Sequence, residues 1–178
     1  MYWSELGSKS IKRASMDGSG VTTLLEQVGR AHALAIDAER RTLYWAALDP
    51  PALERAHTDG TGRVPLTNDV TMPYALTVYA DRLFWGDWNT GLIESVNKVD
   101  GSDRRRVHGA LDYIGVLVAW HRARSPPNQC GVDNGGCEHL CLPTPGDFRC
   151  ACPAHARLRP DNLTCAGTCI GWTKIRTR

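Results

Sequence analysis

Between Leu83 and Asp103 the chain reads "LFWGDWNTGLIESVNKVDGSD". Two tryptophans, Trp85 and Trp88, bracket the carboxylate of Asp87, and an Asp-Gly pair follows at Asp100-Gly101. Alone, such a cluster reads as a binding pocket, a catalytic acid or scaffold. Its siblings in the same chain decide. "MYWSELGSKSIKRASMDGSGVTTLL" from Met1 and "LYWAALDPPALERAHTDGTGRVPL" from Leu43 align beneath it. The anchor tryptophans Trp3, Trp45 and Trp85 are 42 and 40 residues apart. Each copy then carries an aliphatic residue (Ile11, Leu53, Ile93), a charged one (Lys12, Glu54, Glu94) and an Asp-Gly turn (Asp17-Gly18, Asp59-Gly60, Asp100-Gly101). Repetition at this period is the mark of a repeat architecture.

The segments before the anchors repeat as well. "AHALAIDAERRTLYW" from Ala31 matches "PYALTVYADRLFW" from Pro73, and a partial copy, "DYIGVLVAW" from Asp112, leads into no new anchor. The array therefore ends near Trp120. Short apolar and aromatic runs separated by Asp-Gly or Gly-Ser turns are strand and hairpin punctuation. A period of 40 to 42 residues built this way fits a four-stranded propeller blade. Helical hairpins fit badly, because Asp-Gly and Pro recur where a helix would have to continue. The fold class is therefore all-β: about three four-stranded blades followed by a small disulfide-rich module. On a strand, neighbouring side chains point to opposite faces, so Tyr44 and Trp45 are expected to pack against the blades on either side. The residue two beyond each tryptophan sits at the strand end, where a carboxylate can accept turn N–H groups. Asp87 and Glu5 fill that role; Ala47 cannot. The glycine of each Asp-Gly turn takes the positive φ that a tight hairpin demands.

Composition bounds the function. Lys plus Arg is 21 and Asp plus Glu 19, a net charge of +2, which carries no signal for nucleic acid. The basic run Arg104-Arg105-Arg106 reads as an exposed loop or strand edge. No cysteine occurs before residue 130, and seven then fall within forty residues, the usage of an oxidising compartment. Met1 is followed by no basic and apolar export signal, and no apolar run is long enough to span a membrane. Together these give the expectation of a fragment of a longer exported protein.

The stretches "YWSE", "YWAA" and "FWGD", with "IKRASMDG", "LERAHTDG" and "IESVNKVDG" and the strands "ALAID" and "ALTVY", resemble the YWTD or class B repeats of the low-density lipoprotein receptor family. The resemblance is closest in style to its Wnt co-receptor branch, whose propellers are each followed by a cysteine module carrying "NGGC.HLCL". It implies a six-bladed propeller, of which residues 1–122 would be the second half. Three blades alone would leave the faces of two end blades open, a large apolar patch.

From Cys130 to Cys165 the cysteine gaps are C-x6-C-x3-C-x8-C-x-C-x12-C. Arithmetic alone leaves 15 pairings open. The spacing, "DNGGC" and "HLCL" resemble an EGF-like domain, which implies the bonds Cys130–Cys141, Cys137–Cys150 and Cys152–Cys165. A zinc site is disfavoured, because Cys137, His139, Cys141, Cys150 and Cys152 lack paired C-x2-C knuckles. A calcium site is disfavoured too, since Pro127-Asn128-Gln129 precedes the first cysteine in place of acidic residues. No metal and no cofactor is expected. The domain reading is a partial propeller at 1–122, a linker at 123–129, the EGF-like domain at 130–165 and a tail at 166–178 of unassigned structure. Cys169 is left over in that tail. Asn162-Leu163-Thr164 is an N-glycosylation sequon.

No enzyme motif appears. Asp87, Asp37, Asp49 and Glu54 are the candidate carboxylates, and none has catalytic spacing. His32, His57, His108, His121, His139 and His155 are scattered. There is no phosphate loop and no G-x-S-x-G. Binding is the stronger reading, because propellers present loops at one end of a rigid ring and aromatics supply most hot-spot energy. Trp88, with Asp87 and Asn89, is placed on a ligand-facing loop, since the other repeats carry Leu6 and Leu48 at its position. Rim packing against a neighbouring blade is the equal alternative. The resemblance implies extracellular protein ligands (a Wnt-pathway ligand or antagonist, or lipoprotein cargo) and a place on the cell-surface side of a single-pass receptor. Its membrane attachment would lie outside this chain. An endocytic cargo receptor and a nidogen-like matrix protein are the alternatives.

Overall fold

Each Asp-Gly turn folds the chain back on itself, and the computed structural model of the protein shows what the turns join. It describes residues 1–109, 111–119 and 129–167. Two units are present, each considered by itself. The first unit is three antiparallel sheets in chain order. The first sheet holds β1 (Tyr2–Glu5), β2 (Ser10–Arg13) and β3 (Thr22–Leu25). The second holds β4 (Ala31–Asp37), β5 (Thr42–Leu48), β6 (Pro51–His57) and β7 (Val64–Thr67). The third holds β8 (Pro73–Tyr79), β9 (Arg82–Asp87), β10 (Leu92–Asn97) and β11 (Arg105–His108). Strands pair in chain order within each sheet, the up-and-down pattern of a propeller blade. Two of the three sheets have four strands. The first has three, because the strand that β4 and β8 supply to the others has no counterpart between Met1 and Tyr2. The partial copy at 112–119 corresponds to β4 and β8 in sequence but forms no strand pairing.

The anchor dipeptides divide between two cores, as strand alternation requires. Tyr44 packs with Leu76, Leu83 and Trp85 toward the third sheet. Its neighbour Trp45 packs with Ile11, Leu25 and Val28 toward the first. Trp45 and Trp85 are fully buried. The charged residue of each repeat also finds its reason in register. Trp3 stands opposite Lys12, Trp45 opposite Glu54 and Trp85 opposite Glu94 on the neighbouring strand. Glu54 takes a two-pronged bond from Arg63, at 2.8 and 3.0 Å, and the Arg63 guanidinium lies 5.5 Å over the Trp45 ring. Glu94, Arg104 and Trp85 repeat the arrangement, with Arg104 at 5.3 Å over the ring. Each arginine then reaches the loop that feeds its sheet: Arg63 donates to the carbonyls of Glu26 and Gln27, and Arg104 to Asp69. The basic run is thus not uniformly a solvated edge. Arg104 is a latch, and only Arg105 and Arg106 lie on the exposed strand β11.

The turn glycines have a second duty. Gly60 and Gly101 sit at φ +91° and +74°, and a Cβ there would lie 2.8 and 2.1 Å from the carbonyl oxygens of Leu24 and Leu66 in the preceding sheet. The aspartate before each glycine accepts the N–H and hydroxyl of the residue two on: Ser19, Thr61 and Ser102.

The second unit is the cysteine module. A hairpin of β12 (Leu140–Thr144) and β13 (Asp147–Ala151) and a short pair, β14 (Arg157–Leu158) with β15 (Cys165–Ala166), form its frame. Disulfides join Cys130 to Cys141, Cys137 to Cys150 and Cys152 to Cys165. The sulfurs of Cys137, Cys141 and Phe148's ring make up much of its small core. Asn134 of "DNGGC" donates its side-chain amide to the carbonyls of Cys137 and His139, tying the first turn to the hairpin. Linker positions 123–128, His121, Cys169 and the tail from 168 lie outside the described residues. Among the described residues, no helix is long and apolar enough to cross a membrane.

Candidate functional site: an aromatic series across the sheets

Two loops meet at the end of the third sheet where β8 begins and β9 ends, and Asp87 organises them. It closes β9 with 2% exposure. Its Oδ2 accepts the N–H groups of Thr71 and Met72 at 3.0 and 2.8 Å. Its Oδ1 accepts the Thr71 hydroxyl at 2.8 Å and the N–H groups of Asn89 and Thr90 at 3.1 Å each. Burial alone would raise the pKa of this carboxyl. The donors from Met72, Thr71 and Thr90 outweigh burial and hold it below the ordinary carboxylate range. Of the three residues placed on a ligand-facing loop, Asp87 is buried, and its acceptor capacity is spent on the fold. Asn89 and Trp88 remain exposed.

Trp88 is not isolated. Its ring meets Tyr74 edge-on, centroids 4.6 Å apart at 85°, and Tyr113 likewise at 5.2 Å and 86°. Tyr74 in turn lies against His32, centroids 3.8 Å apart. The His32 Nδ1 stands 3.3 Å from the Tyr74 carbonyl, a contact that needs the proton on Nδ1. Edge-to-face geometry is the favoured one for aromatic pairs. Four rings thus run in series, His32, Tyr74, Trp88 and Tyr113, with Trp88 at 39% and Tyr113 at 64% exposure.

The repeat explains why they line up. His32 and Tyr74 are the second residues of "AHALAID" and "PYALTVY", and Tyr113 is the second of "DYIGVLVAW". In β4 the pairing jumps from Ala31↔Ala47 to Ala33↔Ala46, and in β8 from Pro73↔Asp87 to Ala75↔Gly86. His32 and Tyr74 are thus the extra residues of two equivalent β-bulges. A bulge re-aims a side chain, and bulges cluster beside functional sites. Sequence reading singled out Trp88 but missed the other three. The signal was an aromatic at one position of all three strand copies.

Tyr113 is held in place by its neighbours in the segment 111–119. Ile114 is buried against Gly86, where a Cβ would lie 2.3 Å from the Ile114 Cγ2. The Leu111 N–H donates to Gly91 and the Ala119 N–H to the Thr77 hydroxyl. Each of the other strand-end positions is met differently. Glu5 bonds Lys12 and the Ser8 hydroxyl. At Ala47, with no carboxylate, the loop is tied by backbone bonds between Arg30 and Asp49 and between Leu48 and Arg30. The remaining candidate carboxylates are engaged in the frame or bare: Asp37 pairs with Lys98 at 2.5 Å, Glu54 with Arg63, and Asp49 is exposed in a turn. Among the described residues no cluster of His, Cys, Asp or Glu is placed to hold a metal ion.

Repeated antiparallel blades and a three-disulfide module define a protein with propeller-type blades and an EGF-like module. Comparison with known proteins places it further. The model of the low-density lipoprotein receptor repeat class B matches residues 1–38, and that of the coagulation factor Xa inhibitory site matches residues 130–165. Human low-density lipoprotein receptor-related protein 5 is 39% identical over 161 residues, covering 90% of this chain and 10% of the relative. Human low-density lipoprotein receptor-related protein 4 is 38% identical over 89 residues, 48% of this chain and 5% of the relative. The vitellogenin receptor Yl of Drosophila melanogaster is 33% identical over 171 residues, 93% of this chain and 9% of the relative. A crystal structure of a nidogen/laminin complex superposes with a TM-score of 0.56 at 31% identity, covering 61% of this chain and 43% of that one. The chain is thus similar to low-density lipoprotein receptor-related proteins 5 and 4 and carries a class B repeat of that receptor type at residues 1–38. It spans a tenth or less of the length of the curated relatives it matches.

Proposed function

We propose that the chain is an extracellular, protein-ligand-binding portion of a low-density lipoprotein receptor-related receptor, of the Wnt co-receptor type, and that its chemistry is recognition, not catalysis. The observation that carries this is the aromatic series His32–Tyr74–Trp88–Tyr113, which is exposed at Trp88 and Tyr113. Rigid aromatic rings lose little entropy on binding and supply the anchors that dominate interfaces. Three of the four candidate carboxylates, Asp87, Asp37 and Glu54, are committed to the frame, and the fourth, Asp49, stands alone among the described residues, in an exposed turn. The relation to low-density lipoprotein receptor-related protein 5 supports the Wnt co-receptor type. The placement follows from the same reading: the outer face of a cell membrane, as part of a single-pass receptor.

The experiment is binding of secreted Wnt-pathway ligands and antagonists to the immobilised chain by surface plasmon resonance. Trp88→Ala and Tyr113→Ala, each with unchanged circular dichroism, are expected to weaken binding by about 30-fold, the scale of a hot-spot loss of about 2 kcal/mol. Unchanged affinity in both would remove the aromatic series from recognition.

A second reading has its own support. The relation to a vitellogenin receptor covers 93% of the chain, more than the 90% covered by the match to human low-density lipoprotein receptor-related protein 5. Under that reading the same rings take lipoprotein cargo for endocytosis. Purified vitellogenin in the same assay separates the two. The nidogen/laminin complex motivates a third arm, with laminin as the probe for a matrix role.

A further inference from the structure

The sequon Asn162-Leu163-Thr164 lies in a loop of the cysteine module that the ligand-binding reading does not use. Asn162 is exposed, with φ at +58°. Its N–H donates to the Arg159 carbonyl at 2.9 Å, and the Arg159 N–H donates to the Thr164 carbonyl at 2.8 Å, so the loop closes on itself. Within it Asp161 takes three donors: the N–H groups of Leu163 and Thr164 at 3.0 Å each and the Thr164 hydroxyl at 2.6 Å. The hydroxyl first, then the two N–H groups, hold the Asp161 carboxyl down at about 2, so it stays ionised at any pH of the secretory route. The next residue, Cys165, is bonded to Cys152, and its N–H donates to Glu138.

A sequon is used through two groups. The Asn side-chain amide is the nucleophile, and the Thr hydroxyl must be free to engage the transferase. Here the folded module offers the first and withholds the second. The left-handed backbone at Asn162 and the closed loop also keep the tripeptide from extending along an enzyme groove.

We propose that Asn162 accepts an N-linked glycan only while the module is open, and that joining Cys152 to Cys165 and closing the Asp161 loop ends the acceptor window. The step is a glycosyl transfer. The Asn162 Nδ2 bonds to the anomeric carbon of a lipid-pyrophosphate-linked oligosaccharide. The bond from that carbon to the pyrophosphate oxygen breaks, the lipid pyrophosphate leaves with the electron pair, and the amide proton passes to a base of the transferase. Occupancy at Asn162 is then a record of how fast the module folds. The idea rests on the export reading of the chain for its setting, while its test does not, because the transferase is supplied in vitro.

The test compares two acceptors: the unglycosylated chain, folded with its disulfides intact, and the same chain reduced and alkylated. Each is incubated with purified oligosaccharyltransferase and its lipid-linked oligosaccharide, and transfer to Asn162 is followed by mass spectrometry. The open chain is expected to accept about tenfold faster or more, the scale of one charge-assisted hydrogen bond that must be broken first. Asp161→Ala in the oxidised chain is expected to recover part of that difference. If this variant opens the module, the paired change Cys152→Ser with Cys165→Ser should reach the rate of the reduced chain. Equal rates for the oxidised and reduced chains, or no transfer to either, would overturn the proposal.

Discussion

The carboxylate of Asp87 and the backbone N–H of Met72 meet at 2.8 Å across the strand end of the third sheet, and this bond fixes the loop that carries Trp88. The Trp88 N–H also donates to the Met72 carbonyl at 2.9 Å, so both ends of Met72 are spoken for. Replacing Asp87 with Ala would strand several half-buried donors at once. Each unsatisfied donor costs about 1–3 kcal/mol, so a loss of about 3 kcal/mol or more is expected, measured by urea unfolding. Its pH dependence has a definite sign. Despite burial, the folded carboxyl lies below its ordinary value. The stability it confers is therefore present above the unfolded pKa and is lost as pH falls through the folded one. Thermal midpoints measured downward from neutral pH should fall below about pH 4, and Asp87→Asn should fall less over that range. A variant with the same acid slope as the parent would remove Asp87 as the source.

Gly86 governs the far end of the aromatic series. Ile114 occupies the space a side chain at position 86 would need. Gly86→Ala must push Ile114 away, and Tyr113, its neighbour, moves with it. Overpacking of this kind costs about 1–3 kcal/mol. The specific readout is optical: the edge-on coupling of Trp88 with Tyr113 contributes to the near-ultraviolet dichroism, and that contribution should drop in Gly86→Ala. Tyr113→Ala should remove the same band without the loss of stability. A Gly86→Ala protein with an unaltered near-ultraviolet spectrum would show that the segment 111–119 is not seated on this glycine.

Much of this fold was legible because a blade is a local object. A tryptophan, its cross-strand partner and an Asp-Gly turn lie within about twenty residues, so each repeat writes its own geometry into a short run of sequence. The two-sided packing of Tyr44 and Trp45 followed from strand alternation alone. The site was less legible. Trp88 stood out because its siblings are leucines. Its partner Tyr74 is the extra residue of a bulge in β8, and Tyr113 lies in the segment 111–119, which pairs with no strand, so neither contact follows from strand alternation. His32 and Tyr74 point outward because of bulges, and a bulge is a one-residue slip of register that composition does not announce. Asp87 was read both as a tie and as a ligand contact; burial, a property of the packed state, decides for the tie. The Arg104 latch was hidden in a run of three like charges, where only its place after the Asp-Gly turn, shared with Arg63, marked it out. Val21 stands at that place in the first repeat.

Arg63 and Arg104 test that reading. Each holds a glutamate, covers a tryptophan ring and donates to the preceding loop. A lysine keeps the charge but loses the planar fork, which alone can do all three. Arg104→Lys and Arg63→Lys are each expected to cost about 1–2 kcal/mol in chemical unfolding, with loss of a two-pronged bond and of stacking on the indole. Val21 predicts no such dependence in the first sheet, so Val21→Ala should stay within about 0.5 kcal/mol, as surface substitutions away from special features do. Tolerance of both lysines at that level would leave the arginines as ordinary surface charges.

Lys98 and Asp37 form the ion pair that joins the second and third sheets, at 2.5 Å with side chains 7% and 10% exposed. Burial alone would raise the Asp37 carboxyl; the Lys98 ammonium and the Arg40 N–H outweigh it and hold the carboxyl below its usual value. Such a pair is costly to bury and costlier to break. Lys98→Met leaves Asp37 buried without its cation, and a loss of about 3–5 kcal/mol is expected. Asp37→Leu leaves the ammonium in the same position and should cost a similar amount. The double variant Lys98→Met with Asp37→Leu removes both charges and places apolar surface where the sheets already pack through Tyr44, Val78 and Leu83. It should recover most of either loss, so the double loss falls far short of the two single losses together and the cycle returns a coupling energy of roughly 5 kcal/mol or more. The sign matters as much as the size: strict additivity of the two single losses would mean that the two side chains stabilise the sheets through separate contacts, and that the short distance between them contributes nothing.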